Sequence, residues 1–290
     1  MKATAARPPL CNTGANSLAD VLSWDWYQGT IRGLTRSNVA RMALGGPRGR
    51  WRQIPGLYGY SRGWELLDVE AGSVRVFEGS EDVHVQGTGP VAEHVASVLR
   101  DRWPEHLVSR ADVAFDVVEP GAFERLYKRV HEIARDGAGR RGRKVSTSTV
   151  GDWLDGERGR TFYAGGTSSR LRVRVYEKGH EQRAKDPGCG ADVNWTRAEW
   201  QLRPSSDQKA WLAAASKVEA LGLTSFGAAV AEALLDEDVV SVSALLRFAS
   251  QDLGYWMVRS YRRVVLELLE LDPEDMRSRL VELLERAEAR

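Results

Sequence analysis

Three stretches of the chain put charged and phenolic side chains at every second position. In "LRVRVYEK" (171–178) a β-strand would place Arg172, Arg174 and Tyr176 on one face, with Val173 and Val175 on the other. In "SRADVAFD" the same period groups Arg110, Asp112 and Asp116 with Ala114, against Ala111, Val113 and Phe115. In "WTRAEWQLR" it groups Arg197, Glu199, Gln201 and Arg203, against Thr196, Ala198, Trp200 and Leu202. If the three are neighbours in one antiparallel sheet, one face packs on helices and the other displays carboxylates, arginines and a tyrosine.

Any half-solvated sheet alternates in this way, but its open face is usually built of Lys, Thr and Glu. Here it is Asp, Asp, Glu, Arg and Tyr, with the small Ala114 between the aspartates. Clustered carboxylates repel one another and are best tolerated around a hard cation that takes oxygen ligands. Magnesium or manganese is the natural occupant, with Asp112, Asp116 and Glu199 as ligands. A phenol, with a pKa of about 10, needs activation before it can act as a nucleophile, which a metal or a base supplies. Arginines and the metal would meanwhile hold a phosphate and stabilise the charge developing on it. The chemistry is attack on a phosphodiester to form a phosphotyrosyl ester, which keeps the bond energy needed to rejoin a nicked DNA strand. Tyr176 is one candidate nucleophile. Tyr163, which shares a face with Thr161 in "RTFYAG", is the other.

The elements that must position these residues can be read from period and punctuation. Strand-like segments run over 23–32, 64–70, 73–79, 82–87, 107–118, 160–165, 171–178 and 195–203. Amphipathic helical periods interrupt them at 91–103 and 122–136, the second just after Pro120-Gly121. Beyond Pro204 the pattern is helical throughout. The expected fold is therefore α+β: a largely antiparallel sheet with one charged face and helices on the other, followed by a helical C-terminal region. The division is an unpacked arm over 1–20, the sheet domain over 21–204 and the helical region over 205–290.

Composition narrows the classes. With 290 residues, 42% of them apolar and 28% charged, the chain can bury a substantial core. It has no run of about 18 apolar residues and no apolar N-terminal segment, so the expectation is a cytoplasmic protein without a membrane partner. Cys11 and Cys189 are too few for a disulfide framework or a thiolate metal site. The net charge of +1 conceals an asymmetry: residues 205–290 carry 10 Lys/Arg and 15 Asp/Glu, leaving a net +6 on residues 1–204. Two segments concentrate that excess. "RDGAGRRGRKVS" (135–146), with Arg140, Arg141, Arg143 and Lys144, reads as a phosphate-tracking loop, and "RMALGGPRGRWRQ" (41–53) as a second basic loop with Trp51 free to stack on a base. An RNA-binding module would need an aromatic stacking face that these strands lack.

Taken in order, "RADVAFD", "GRTFYAGGTSSRLRVRVYEKGHEQ" and "WTRAEWQLRP" resemble the replication initiation factor family of rolling-circle plasmids and phages, with related relaxases of integrative elements. The family patterns R-x-D-x-x-x-D, T-x-Y-x-G-x-x-x-S, R-x-Y-x-K-x-x-E and R-x-E fall on Arg110, Asp112 and Asp116; on Thr161, Tyr163, Gly165 and Ser169; on Arg174, Tyr176, Lys178 and Glu181; and on Arg197 and Glu199. "GLYGYSRGWELL" (56–67) also looks familial. The resemblance covers residues 23 to 204 or so. It implies a metal-dependent, origin-specific single-strand endonuclease and strand transferase, with Tyr176 joined to the 5′ phosphate and a 3′ hydroxyl left for a polymerase. The R-x-Y-x-K setting favours Tyr176 over Tyr163 and places Arg174 and Lys178 beside it. Arg110, Arg172 and Arg197 would contact the DNA, a replication origin presented as a hairpin or single-stranded nick site. A host helicase and a second copy of the chain are the further partners implied. None of the five histidines forms the His-x-His pair of the larger nickase class, consistent with a carboxylate-based branch. The competing reading is a non-catalytic DNA-binding regulator on the same scaffold.

Overall fold

The computed structural model describes residues 22–67, 69, 71–137 and 144–235. In chain order the elements are β1 (Leu22–Arg32), α1 (Ser37–Gly45), β2 (Trp51–Pro55), β3 (Arg62–Leu66), β4 (Ser73–Glu78), β5 (Asp82–Thr88), α2 (Ala92–Arg102), β6 (Leu107–Val118) and α3 (Ala122–Asp136). They continue with β7 (Thr147–Gly151), β8 (Arg160–Ala164), β9 (Leu171–Glu177), α4 (Lys178–Lys185), β10 (Trp195–Leu202), α5 (Lys209–Ala214), α6 (Lys217–Leu221) and α7 (Ser225–Leu234).

All ten strands of the described residues lie in one antiparallel sheet, ordered β2-β3-β4-β5-β1-β6-β10-β9-β8-β7. The α+β class expected from the sequence is what forms. Helices cover one face, where Val113, Val173, Val175, Ala198, Trp200 and Leu202 are buried in the main core. Burying a side chain of that size contributes about 1.5–3 kcal/mol, so this alternation decides which face turns inward. On α3 the apolar residues Phe123, Leu126, Val130 and Ala134 recur at helical spacing and are buried; Gly137, at φ +69°, closes the helix by donating to the Ile133 carbonyl. The chain beyond Pro204 remains helical to Leu234 and adds Leu212, Leu221, Phe226 and Val230 to the same core.

Two local readings change. Residues 41–53 do not form one basic loop: Arg41 to Gly45 finish α1, and Trp51 opens β2 and packs against the core, so it is not free to stack. Edge strands β2 and β7 went unrecognised because pairing with one neighbour, not burial, defines them; every residue of β7 is exposed. Arg140, Arg141 and Arg143 lie outside the described residues, as do the helical segments expected beyond Leu235; Lys144 is exposed at the start of the run into β7.

Candidate functional site

The pairing registers assemble three cross-strand rows on the face opposite the helices. Arg197 of β10 lies opposite Asp116 and Tyr176, and Tyr176 lies opposite Thr161. One step along, Glu199 lies opposite Ala114 and Arg174, and Arg174 opposite Tyr163. A further step brings Gln201 opposite Asp112 and Arg172. The three charged strands are thus adjacent, in the order β6-β10-β9.

This face is not simply solvated. Every residue of β10 is buried, and Asp112 and Glu199 are each only 1% exposed. The charges survive burial because they are paired. Arg197 donates from Nε and Nη2 to the two oxygens of Asp116, both at 2.7 Å, and Trp195 Nε1 adds a bond to the same carboxylate at 2.8 Å. Arg174 donates to Glu199 Oε2, while Gln201 Nε2 donates to Oε1 at 2.8 Å. Arg110 forks onto Asp112 through Nε and Nη2 and lies 4.1 Å from the Trp26 ring centroid.

Asp25 completes the first row and was not singled out in the sequence. Its carboxylate accepts from Arg197 Nη1 at 2.5 Å. A register shift between Trp24 and Trp26 interrupts the alternation of β1 at this residue, so a strict period of two does not place it with the charged face. The one available signal was an acid among the aromatic residues of "SWDWYQ".

The three expected metal ligands are not gathered into one cluster. Among the described residues, no group of three or more His, Cys, Asp or Glu side chains is arranged to hold a metal ion. Asp116 is fully engaged by Arg197 and Trp195. Asp112 and Glu199 are diagonal neighbours across β6 and β10 and do feel each other. Burial and the Glu199 charge push the Asp112 carboxyl up to about 7, against the pull of Arg110. Burial also pushes Glu199 upward, but Arg174, Gln201 and Arg197 outweigh it and hold that carboxyl below its usual range. Two carboxylates in this state suit a hard cation that takes its remaining ligands from phosphate oxygens and water, the usual manner for magnesium. A dedicated all-protein cage of three acids is not what the residues form.

Tyr176 lies among these charges with 3% of its surface exposed, and its hydroxyl is buried without a hydrogen-bond partner. The Arg174 guanidinium lies 4.0 Å from its ring centroid and Lys178 Nζ 5.5 Å. Burial, then the Glu199 charge, raises the phenol well above 10, against the opposing pull of Arg174 and Arg197. Lys178, the first residue of α4, donates to Glu181 at 2.6 Å; burial and Arg197 lower its pKa. Burial pushes Glu181 up, but Lys178 and Lys185 bring it down to about 2.

Tyr163 is half-buried and carries the Arg172 guanidinium over its ring at 3.6 Å. The two tyrosines therefore sit on one face in different settings, Tyr176 among acids and bases and Tyr163 under an arginine. Glu177 points elsewhere, held by Arg160, which also binds Glu124 of α3. Gly165 and Ser169 shape the β8-β9 turn. Gly165 has φ +106° and a Cβ there would fall 2.6 Å from the Leu171 carbonyl, while Ser169 Oγ accepts from the Gly166 amide at 3.0 Å.

No curated protein matches the chain. A solved structure similar to it is a rolling-circle replication initiator protein from Geobacillus stearothermophilus, 23% identical, with 67% of this chain and 78% of that chain covered at a TM-score of 0.49. Residues 107–234, which carry Asp112, Tyr163, Tyr176 and Glu199, match the replication initiation factor family, the same family that the sequence motifs resemble.

Proposed function

We propose that this protein initiates rolling-circle replication by nicking one DNA strand and holding the 5′ end as a phosphotyrosyl ester on Tyr176. The observation that carries the reading is the Tyr176 hydroxyl, buried without a partner beside Arg174 and opposite Arg197. A buried hydroxyl left unsatisfied costs about 1–3 kcal/mol, so a plain structural role would favour phenylalanine there. The ion pairs argue the same way. Desolvated pairs are often no more stabilising than apolar packing, so a sheet serving stability alone gains little from Asp116–Arg197, Glu199–Arg174 and Asp112–Arg110.

In this reading Arg174 and Arg197 orient the phosphate and stabilise its added charge. The Tyr176 oxygen attacks phosphorus, the bond to the 3′ oxygen breaks, and that oxygen leaves as the 3′ hydroxyl after taking up a proton. The phenolic proton passes to solvent, and the positive charge of Lys178, 5.5 Å from the ring centroid, favours the phenolate. Asp112 and Glu199 would hold a magnesium or manganese ion, which when bound supplies Lewis-acid polarisation of the phosphate. Incubation of the full chain with manganese and single-stranded origin DNA should give an adduct that survives denaturing electrophoresis.

Two observations favour a second reading, a non-catalytic DNA-binding regulator: Tyr176 is nearly inaccessible and each of Asp25, Asp112, Asp116 and Glu199 already has an arginine. Failure to form adduct with any origin-like strand, with binding intact, would establish that alternative.

A further inference from the structure

Among the arginines that β6, β9, β10 and the residue after β10 bring to this face, Arg110, Arg174 and Arg197 are each ion-paired to a carboxylate. Arg172 and Arg203 are not. Among the described residues no acidic side chain lies within ion-pair distance of either, yet Arg172 Nε and Arg203 Nη1 are buried without hydrogen-bond partners. Arg172 lies on β9, and Arg203 directly follows the neighbouring β10. Arg172 lies opposite Gln201, and Arg203, two residues further on and just past the end of β10, keeps the pairing by donating its amide to the Arg170 carbonyl. That makes them diagonal neighbours, about 7–8 Å apart at the backbone.

Their surroundings make the charge costly. Burial lowers the Arg203 pKa first, then Arg110; Asp112 opposes the fall and Arg172 adds to it. The Arg172 guanidinium carbon lies over the Tyr163 ring, 3.6 Å from its centroid, a cation–π contact that leaves its N–H groups for other acceptors. Two forked donors, partly desolvated, mutually repelling and without a protein acid, form a site completed by an anion. The matching chemistry is the non-bridging oxygens of a phosphodiester, which guanidinium forks take in paired hydrogen bonds.

We infer that Arg172 and Arg203 form a second phosphate site, separate from the nucleophile, that grips the same single DNA strand some nucleotides away from the cleaved bond. The placement is set by β9: Arg172 is four residues from Tyr176, about 13–14 Å along the strand, on the same face and with Arg174 between them. The site rests on the proposed nicking function for its ligand, but its binding role is measurable without any cleavage. Tyr163 becomes the platform of this site, which accounts for a second tyrosine on the face.

The test measures binding of a labelled oligothymidine by the full chain carrying Tyr176→Phe, across a range of salt concentrations. Arg203→Gln and Arg172→Gln should each flatten the dependence of log K on log salt by about 0.7, the value for one single-strand phosphate contact, and the double variant by about twice that. Arg203→Lys, which keeps the charge without the fork, should keep the slope and weaken affinity. An unchanged slope in both glutamine variants, with melting temperatures near that of the parent, overturns the inference. So does an equal loss in Arg62→Gln, an exposed residue on β3 away from this face's charged strands, since that would mean diffuse attraction only. If inorganic phosphate raises the parent's melting temperature but not the double variant's, and the oligonucleotide slope does not change, the site takes a free anion and the DNA assignment falls. Wild-type adduct with no slope change would sink this inference alone; lost slope without adduct would sink the nicking reading alone.

Discussion

Arg197 of β10 holds two aspartates at once: Asp116 through Nε and Nη2, and Asp25, 172 positions away in sequence, through Nη1. This three-residue bridge ties β1 to β6 and β10 directly beside Tyr176, so Asp25 fixes the angle of the arginine that would meet the phosphate. Asp25→Asn keeps the shape and removes the charge. It should destabilise the fold by about 1–3 kcal/mol in urea unfolding and reduce adduct formation more than DNA binding. Equal losses in both would make Asp25 merely structural.

The tyrosines separate cleanly by substitution. Tyr176→Phe deletes a buried hydroxyl that has no partner, so the adduct should disappear while the melting temperature holds or rises by a few degrees. Tyr163→Phe keeps the ring under Arg172 and should leave the adduct in place. Adduct lost in Tyr163→Phe and kept in Tyr176→Phe would exchange the two roles.

In the proposed reaction, metal dependence rests on the Asp112 and Glu199 pair. Replacing Glu199 by alanine would strand Arg174 in a buried site and cost about 3–5 kcal/mol, which confuses folding with function. Glu199→Gln avoids most of that. It should weaken manganese binding measured by calorimetry and abolish nicking while oligonucleotide binding persists; nicking at the normal rate in EDTA would refute the metal's role.

Acid stability has a specific source on β5, which pairs with β1. Burial, with some help from Lys209, lowers the His84 imidazole from 6.5 to about 4; its Nδ1 bonds Thr30 Oγ1 at 3.0 Å and it packs against Tyr58, Tyr60 and Phe77. The unfolded chain binds the proton first, so this contribution is complete above pH 6.5 and is lost as the pH falls toward 4. The shift corresponds to about 3 kcal/mol at most. His84→Gln should flatten the decline in melting temperature over that window, and an unchanged slope would place the acid sensitivity in another group.

Much of the sheet could be read from alternation alone. Val173, Val175, Ala198, Trp200 and Leu202 mark the covered face, because a period of two leaves a half-buried strand one way to orient, and the opposite face then had to carry Asp112, Arg174, Tyr176 and Glu199. What tertiary structure alone decided was which acid meets which arginine. That depends on register between strands far apart in sequence: one step differently, Glu199 would face another partner than Arg174. Register also took Asp116 away from the expected metal site and gave it to Arg197, and the irregularity in β1 brought in Asp25 where no regular period pointed. Charge pairing is a property of distances across strands, which composition and spacing along one strand do not contain. The uncompensated arginines, Arg172 and Arg203, are visible only once every other arginine lining the face has been matched to its acid.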